Sequence, residues 1–591
     1  MLLCVPRMFA RRHPQPGSDA PVQLSKAFKG KLPITELTED EAILHALNRL
    51  GYGCEPGEIE RVRQMGLEKW IERQLHPESI DDSALNERLA AFPTLKMSSR
   101  ELLERYPPPN EEAKREGLTP QQYQEQQKAK ADEEMARLLA SAADPAEIQL
   151  AKMQGPQRII AELSMAKLDR AIYSQRQLQA VMDDFWFNHF NVYAEKGDDK
   201  WLITEYERDA IQPHAMGKFG DLLLATAKSP AMLFYLDNWL SADPMAVQQF
   251  AQRPRRYPVF VAGFPPPGSF PPGSFPPQRA NGAGAKRPER GLNENYGREV
   301  MELHTLGVDG GYTQQDVIEM AKCMTGWTIR QPRRDPEYFF NEGLHTQGPK
   351  VVLGRKFDYD SEKDGSEALK MLAGRPETAR FISTELARHF VSDNPPEAII
   401  DRMAKTFVSS DGDTRAVLKT MIYSPEFWSR EAYHAKVKTP FELVASTARA
   451  LGADVTVPIQ LAQWVNRMGE PLYMSQPPTG YSDKAETWVN AGALLNRLNF
   501  AMAFTTGHVA GTAVDLANLL GSDADADPKV ALSHSMDVFL DSQAAPATES
   551  TLEQRLSDPQ ILQARLDDPV KHVNEGLIPG LVLGAPEFQR R

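Results

Sequence analysis

Cysteine is nearly absent: Cys4, Cys54 and Cys323 are the only three in 591 residues. They form no CxxC pair and no even set, which excludes a disulfide framework and a cysteine zinc cluster. No apolar run approaches the ~20 residues needed to cross a bilayer, so no transmembrane segment is expected. Leu2-Leu3-Cys4-Val5 is shorter than the ~7–15-residue apolar region of a secretory signal. Arg11-Arg12 is followed by His13-Pro14-Gln15-Pro16 rather than by the apolar stretch of a twin-arginine signal. No export signal is therefore expected in the chain as written. An excess of positive charge is also lacking: 67 basic against 80 acidic side chains leave −13. That balance argues against general affinity for nucleic acid or anionic membranes. The 12 histidines form no HExxH pair, and no phosphate loop or GxSxG elbow occurs.

What is present describes a soluble globular chain, with 41% hydrophobic and 25% charged residues. Helix punctuation recurs. Ser229-Pro230, Ser424-Pro425 and Thr439-Pro440 each place an oxygen-bearing cap before a proline that pre-sets a helical φ. Few stretches alternate with period two. The expected fold class is mainly α, a large multi-helical globular fold with one small β-hairpin near 337–360, where Phe339-Phe340 pairs with Val351-Val352-Leu353.

Five stretches are expected. Residues 1–37 form a disordered N-terminal segment. Residues 38–240 form an N-terminal helical region, with two helices over 38–76 and a polar helical protrusion at 107–150. Residues 241–290 are a linker or insertion holding the proline-rich repeat Phe264–Phe275. Residues 291–510 are a central and C-terminal helical region, and 511–591 a polar addition with a closing helix.

The densest polar set is Asn293-Glu294-Asn295-Tyr296-Gly297-Arg298-Glu299-Val300-Met301-Glu302-Leu303-His304. At about 100° per residue, Glu294, Arg298 and Glu302 share one helical face. Asn295 and Glu299 lie beside it, and Tyr296, Val300 and Leu303 face the opposite side. Two readings stay open: a solvated stripe of i,i+4 ion pairs, or a carboxylate-rich face that holds a cation or shares a proton. The helix should end at Gly307. Asp309–Asp316 resembles half of a calcium loop, but Thr305 and Gly307 stand where oxygen ligands belong. A turn followed by a new helix, capped by Thr313 with Asp316 three residues on, fits better. Taken singly, His189, His214, Asp237, Asn238 and His345 read as structural or supporting residues.

Taken together, the motifs resemble the bacterial family catalogued as domain of unknown function 1800. The resemblance rests on Asn293–Val308, Gly311-Tyr312-Thr313 and Thr325-Gly326-Trp327. Ala46–Tyr52, Phe185-Trp186-Phe187-Asn188-His189-Phe190, His214-Ala215, Ser229–Leu233, Tyr235–Asn238, Trp464–Pro471 and Pro586-Glu587-Phe588 extend it over most of the chain. Three departures stand out. Phe187 occupies a position where the family often has a further His. His345-Thr346 replaces an "HD" pair. Gly297 and Val300 stand where Ala and Leu are common.

The resemblance implies a buried polar site, and a periplasmic or exported location. It also implies a partner resembling alkaline phosphatases and sulfatases. Under an enzyme reading, a hydrolase is expected. Glu299, Glu302 and Arg298 would be catalytic, and Asn293, Asn295, Asp237 and Asn238 would bind substrate. His189, His214 and His304 would hold a divalent metal. Under the alternative, the chain is a non-catalytic helical scaffold for that partner. A third reading, carbohydrate binding, needs Trp464, Trp488 or Tyr481 exposed along a groove.

Overall fold

The computed structural model describes residues 30–141, 148, 153, 155–252, 291–521, 527–541, 543–556 and 573–591. The chain is mainly α, and its described strands form three small two-stranded antiparallel sheets. Capping explains where several helices begin. Thr38, Thr313 and Thr439 each accept the amide three residues on, while Glu41, Asp316 and Glu442 reach back to the cap amide. Thr439-Pro440 and Thr313 thus behave as the spacing predicts. The hydroxyls of Ser229 and Ser424 do not cap. Ser424 instead donates to the Thr420 carbonyl, closing the preceding helix.

The 38–76 stretch contains three helices rather than the expected two: Glu39–Arg49, Glu58–Met65 and Leu67–Leu75. Gly66, at φ +91, supplies the turn that divides the second from the third. Within 107–150, helices Pro109–Arg115 and Pro120–Ala140 pack on each other and bury little beyond Ala113 and Tyr123. Residues 1–29 and 253–290, with the proline-rich repeat, lie outside the described residues. Of the segment before residue 38, Leu32, Ile34 and Leu37 are buried in the core. Pro244–Gln252 is helical.

One continuous cluster of buried apolar side chains runs from Leu32 to Phe588, with a satellite around Leu102, Leu103, Ile159 and Trp201. The C-terminal stretch joins it through Leu516, Leu532, Phe539 and Ile578. The closing helix, Val573–Leu583, packs on helices Ala491–Thr505 and Pro528–Leu540.

The β expectation needs a correction of partner. β1 (Trp327–Gln331) pairs with β2 (Asp335–Phe340), placing Phe339 opposite Thr328 and Phe340 opposite Trp327. β3 (Lys350–Val352) pairs instead with β4 (Arg355–Phe357). Leu353 and Gly354 lie between them, both with positive φ, so a tight two-residue turn folds β3 onto its immediate successor. The third sheet joins β5 (Asp454–Val455) to β6 (Thr512–Ala513). Among the described residues no helix is long and apolar enough to cross a membrane.

Candidate functional site

The polar helix runs over Glu294–Met301 with Asn293 as its cap. Asn293 Oδ1 accepts the Tyr296 amide at 3.2 Å, and its Nδ2 donates to the Leu236 carbonyl at 2.6 Å. The ion-pair stripe does not form. Gln314, on the next helix, accepts from Arg298 at 2.6 Å and donates to Glu294 at 2.9 Å, bridging the two. Asn295 is exposed. Tyr296 and Val300 are buried, as the face pattern predicts.

Past Met301 the wrap loosens into a π-helical turn, Glu302–Leu306, in which Thr305 Oγ1 donates to the carbonyl of Val300, five residues back. Such turns are frequent at functional sites. The wider turn changes the phase of the helix, so Leu303 does not face away from Glu302; both line one groove. The helix ends at Gly307, at φ +76, as expected.

That groove encloses about 340 Å³. Its polar lining includes His189, Glu302, Glu385, Arg388, Asp483 and Lys484, with Phe185, Leu303, Val308 and Phe381 as apolar wall. His189 Nδ1 meets the Glu385 carboxylate at 2.7 Å, and its Nε2 faces the His304 carbonyl at 3.3 Å. Both neighbours are acceptors. Glu302 accepts from the Tyr312 hydroxyl at 3.3 Å, and burial, then the Glu302 charge, pushes that phenol up to about 12. Glu299 lies one turn back, half-buried. Burial, then the Glu302 charge, raises its carboxyl above the usual range, with Arg298 acting against them. Arg388 makes no hydrogen bond or ion pair among the described residues, and its Nε is buried.

A smaller, polar chamber of about 40 Å³ lies behind the groove, and the two share Phe185, Asn188, Tyr481, Ser482 and Asp483. Its lining includes Lys167, Asp184, His389, Glu442, Glu470 and Tyr473. His389 Nδ1 is held by Asp483 at 2.8 Å, while its Nε2 is buried without a partner. Burial pushes the Asp483 carboxyl up, but His389, Lys436 and Arg591 outweigh it and hold it down at about 2. Burial pushes Glu470 up to about 8. Lys167 pairs with Asp184. The Phe187 ring, where the family pattern often has His, packs against Tyr473 and under the Lys167 ammonium.

The structure therefore brings His189 and Glu302 together, with Glu299 and His304 close behind. The His304 ring lies 6.3 Å from that of His189, centroid to centroid, and burial lowers it to about 3. Other predicted residues lie elsewhere. His214 hydrogen-bonds the Ala210 carbonyl at 3.0 Å, within its own turn. Asp237 is exposed, has a positive φ, and pairs with Lys196 at 2.9 Å. Asn238 is fully buried and ties down the carbonyls of Met324 and Trp327. Among the described residues, no group of three or more His, Cys, Asp or Glu side chains is placed to hold a metal ion.

Sequence reasoning missed Glu385, Arg388, His389 and Asp483. The first three occupy one helix, Pro376–Phe390, at i, i+3 and i+4, a spacing that puts them on one face. That signal was readable. Trp488 is buried and Trp464 packs against the core, so of the three aromatics named for carbohydrate binding only Tyr481 lines the groove. His345, read as a structural residue, is buried: it bonds the Thr325 carbonyl at 2.8 Å and Asp364 at 3.0 Å, and Lys350 joins the same carboxylate at 2.8 Å.

Comparison with curated proteins and with solved structures returned no match. A family model described as "Protein of unknown function (DUF1800)" matches residues 45–590, nearly the whole chain. The match takes in the three histidine–carboxylate pairs described above and the polar helix, and the chain belongs to the DUF1800 family.

Proposed function

We propose that the chain is a hydrolase working by general acid–base chemistry in the groove, on a substrate that carries an anionic group. Glu385 exchanges a proton with substrate or water. His189 orients that carboxyl and shares its proton, and Glu302 supplies the second carboxylate. Arg388, free of internal acids, receives the anion in a bidentate arrangement. Glu299, its carboxyl raised above the usual range by burial beside Glu302, stands behind the groove. Asn293 and Asn238 fix the frame on which these groups sit. The observation that carries the reading is the 2.7 Å bond between His189 Nδ1 and Glu385, in the wall of a groove that also contains Glu302 and an unpaired guanidinium.

The test is a panel of chromogenic aryl phosphates, sulfates, glucuronides and neutral esters, run on the full chain beside Glu385→Gln, Glu302→Gln and Arg388→Met. The expected result is turnover of an anionic member, about 100-fold or more slower in Glu385→Gln, with KM rising in Arg388→Met. No turnover across the panel, or a Glu385→Gln variant as fast as wild type, would overturn the reading.

A second reading has one observation in its favour. Val489, Leu494 and Leu495 expose 45%, 47% and 59% of their surface beside the helix start at Ala491. Exposed apolar side chains gathered in one place suit a docking surface. In this reading the chain is an accessory protein for a phosphatase- or sulfatase-like partner, and its buried charges serve to fix the fold.

A further inference from the structure

A second cavity lies apart from the groove. It encloses about 570 Å³ and shares no lining residue with the groove. Four separated parts of the chain wall it: residues around Asn48 and Ile59, around His434 and Ser446, Leu519 with Val538, Leu540 and Gln543, and the closing Pro586, Phe588 and Arg590. Leu44, Ile59, Leu519, Phe539, Leu540 and Phe588 give it an apolar body of the size that encloses a small organic ligand.

Lys438 stands in this wall with 4% of its surface exposed. Its ammonium nitrogen lies 3.9 Å above the centre of the Phe588 ring and makes no hydrogen bond or ion pair among the described residues. Three other lysines, Lys350 and Lys436 buried and Lys167 half-buried, differ in this respect. Lys350 holds Asp364 at 2.8 Å, Lys436 holds Asp393 at 2.5 Å, and Lys167 holds Asp184. Lys438 alone of these four has an aromatic face where the others have a carboxylate. An ammonium removed from water over a ring, with no carboxylate bonded to it, is destabilised relative to the free amine; Cys54 and Glu442 act against that shift, and Arg591 and Arg497 add to it. Burial above all lowers this amine to about 7, so near neutral pH about half of it is uncharged and nucleophilic. Glu587 Oε2, also without a partner, lies in the same lining and offers an acceptor to a polar group bound there.

We propose that this cavity takes an apolar aldehyde or ketone and holds it on Lys438 as an imine. The amine nitrogen attacks the carbonyl carbon and forms the C–N bond. Its two protons pass to the carbonyl oxygen, the C–O bond breaks, and the oxygen leaves as water. No oxidant or reductant is consumed. The apolar walls seat the alkyl or aryl body and limit the water that would reverse the step.

The test uses the full chain and hexanal as the probe. Protein and aldehyde are mixed at a series of pH values and quenched with borohydride, which reduces the imine to a stable secondary amine. Peptide mapping then locates and counts the adducts. Lys438 is expected to be modified at least about tenfold faster than any exposed lysine near neutral pH, because exposed amines are almost wholly protonated there. Its labelling should titrate with a midpoint of about 7, and should slow in Ile59→Trp, which fills the cavity. Lys438 modified no faster than the exposed lysines, or labelled with their alkaline midpoint, overturns the proposal. Because the readout is covalent labelling at a site apart from the groove, it is independent of any hydrolytic activity there.

Discussion

Asn188 holds Tyr481 at both ends of its peptide unit: its Nδ2 donates to the Tyr481 carbonyl at 2.8 Å, and its Oδ1 accepts the Tyr481 amide at 2.7 Å. A residue of the aromatic-histidine motif therefore closes the 479–484 loop over the groove, although 293 positions separate the two. Gly480, at φ +66, permits the approach: a Cβ there would lie 2.4 Å from the Asn188 carbonyl oxygen. The loop carries Asp483, so Asn188 indirectly places the acid that holds His389.

Replacing Asn188 by Ala should release this loop. Two hydrogen bonds are lost and the Tyr481 peptide must find water, which costs about 1–3 kcal/mol. The expected signature is earlier proteolysis within 479–484, read by limited digestion and mass mapping. Global denaturation should shift only modestly. Cleavage at the wild-type rate would show that the loop is held by other contacts.

Asp483→Asn removes the charge from the second histidine–carboxylate pair. The wild-type carboxyl is held at about 2 in the folded chain, below its unfolded value of about 3.9. Its contribution to stability is therefore present above the unfolded value and lost as pH falls from about 4 toward 2. On linkage it amounts to something on the order of 2 kcal/mol at neutral pH. Urea unfolding should show the variant less stable by that order at pH 7. The gap should close as the pH is lowered through this window. A gap independent of pH would mean that the stabilisation is not ionic.

The sequence carries the helices and their ends where the signal is local. Thr313 and Asp316, three residues apart, are readable as a reciprocal cap, and the burial of Tyr296 and Val300 follows from their spacing. The π-turn at Glu302–Leu306 is not readable this way. Its extra residue per turn depends on what packs against it, so Leu303 was assigned to the wrong face. The groove is legible only in halves. His189 and Glu302 stand in motifs that attract attention, and Glu385, Arg388 and His389 share one helical face. But His189 meets Glu385 across 196 residues, and His389 meets Asp483 across 94. No periodicity encodes such pairings, because they follow from how helices stack around the core. Phe339 makes the same point for strands: its composition marks it as β, while the turn at Leu353-Gly354 decides that β3 is not its partner.

Gly297 lies where the polar helix crosses the Gln314–Cys323 helix most closely. A Cβ at this position would sit 2.8 Å from the Val317 carbonyl oxygen and 2.9 Å from the Ala321 amide nitrogen, both backbone atoms that cannot swing aside. Alanine is the better helix former by about 1 kcal/mol, but parting two packed helices costs about 1–3 kcal/mol. Gly297→Ala should therefore lower the melting temperature despite the gain in propensity. A stabilised variant would mean that the helices separate at little cost.

Glu470 gives a pH dependence of the opposite sense to Asp483. It is buried at the chamber wall, accepts the Phe441 amide at 2.7 Å, and is raised by burial to about 8. In the unfolded chain it ionises near 4.3. Between those values the unfolded state has released a proton that the folded state retains, so folding stability falls as pH rises from about 4 to about 8. Glu470→Gln keeps an oxygen for the Phe441 amide and has no proton to lose. The variant should match wild type near pH 4 and exceed it by a few kcal/mol near pH 8, a window of several pKa units. The measurement is guanidinium unfolding at both values. Equal slopes of stability against pH in the two proteins would show that Glu470 is already ionised in the folded chain, with its charge balanced by Lys167 or Arg497 across the buried polar cluster.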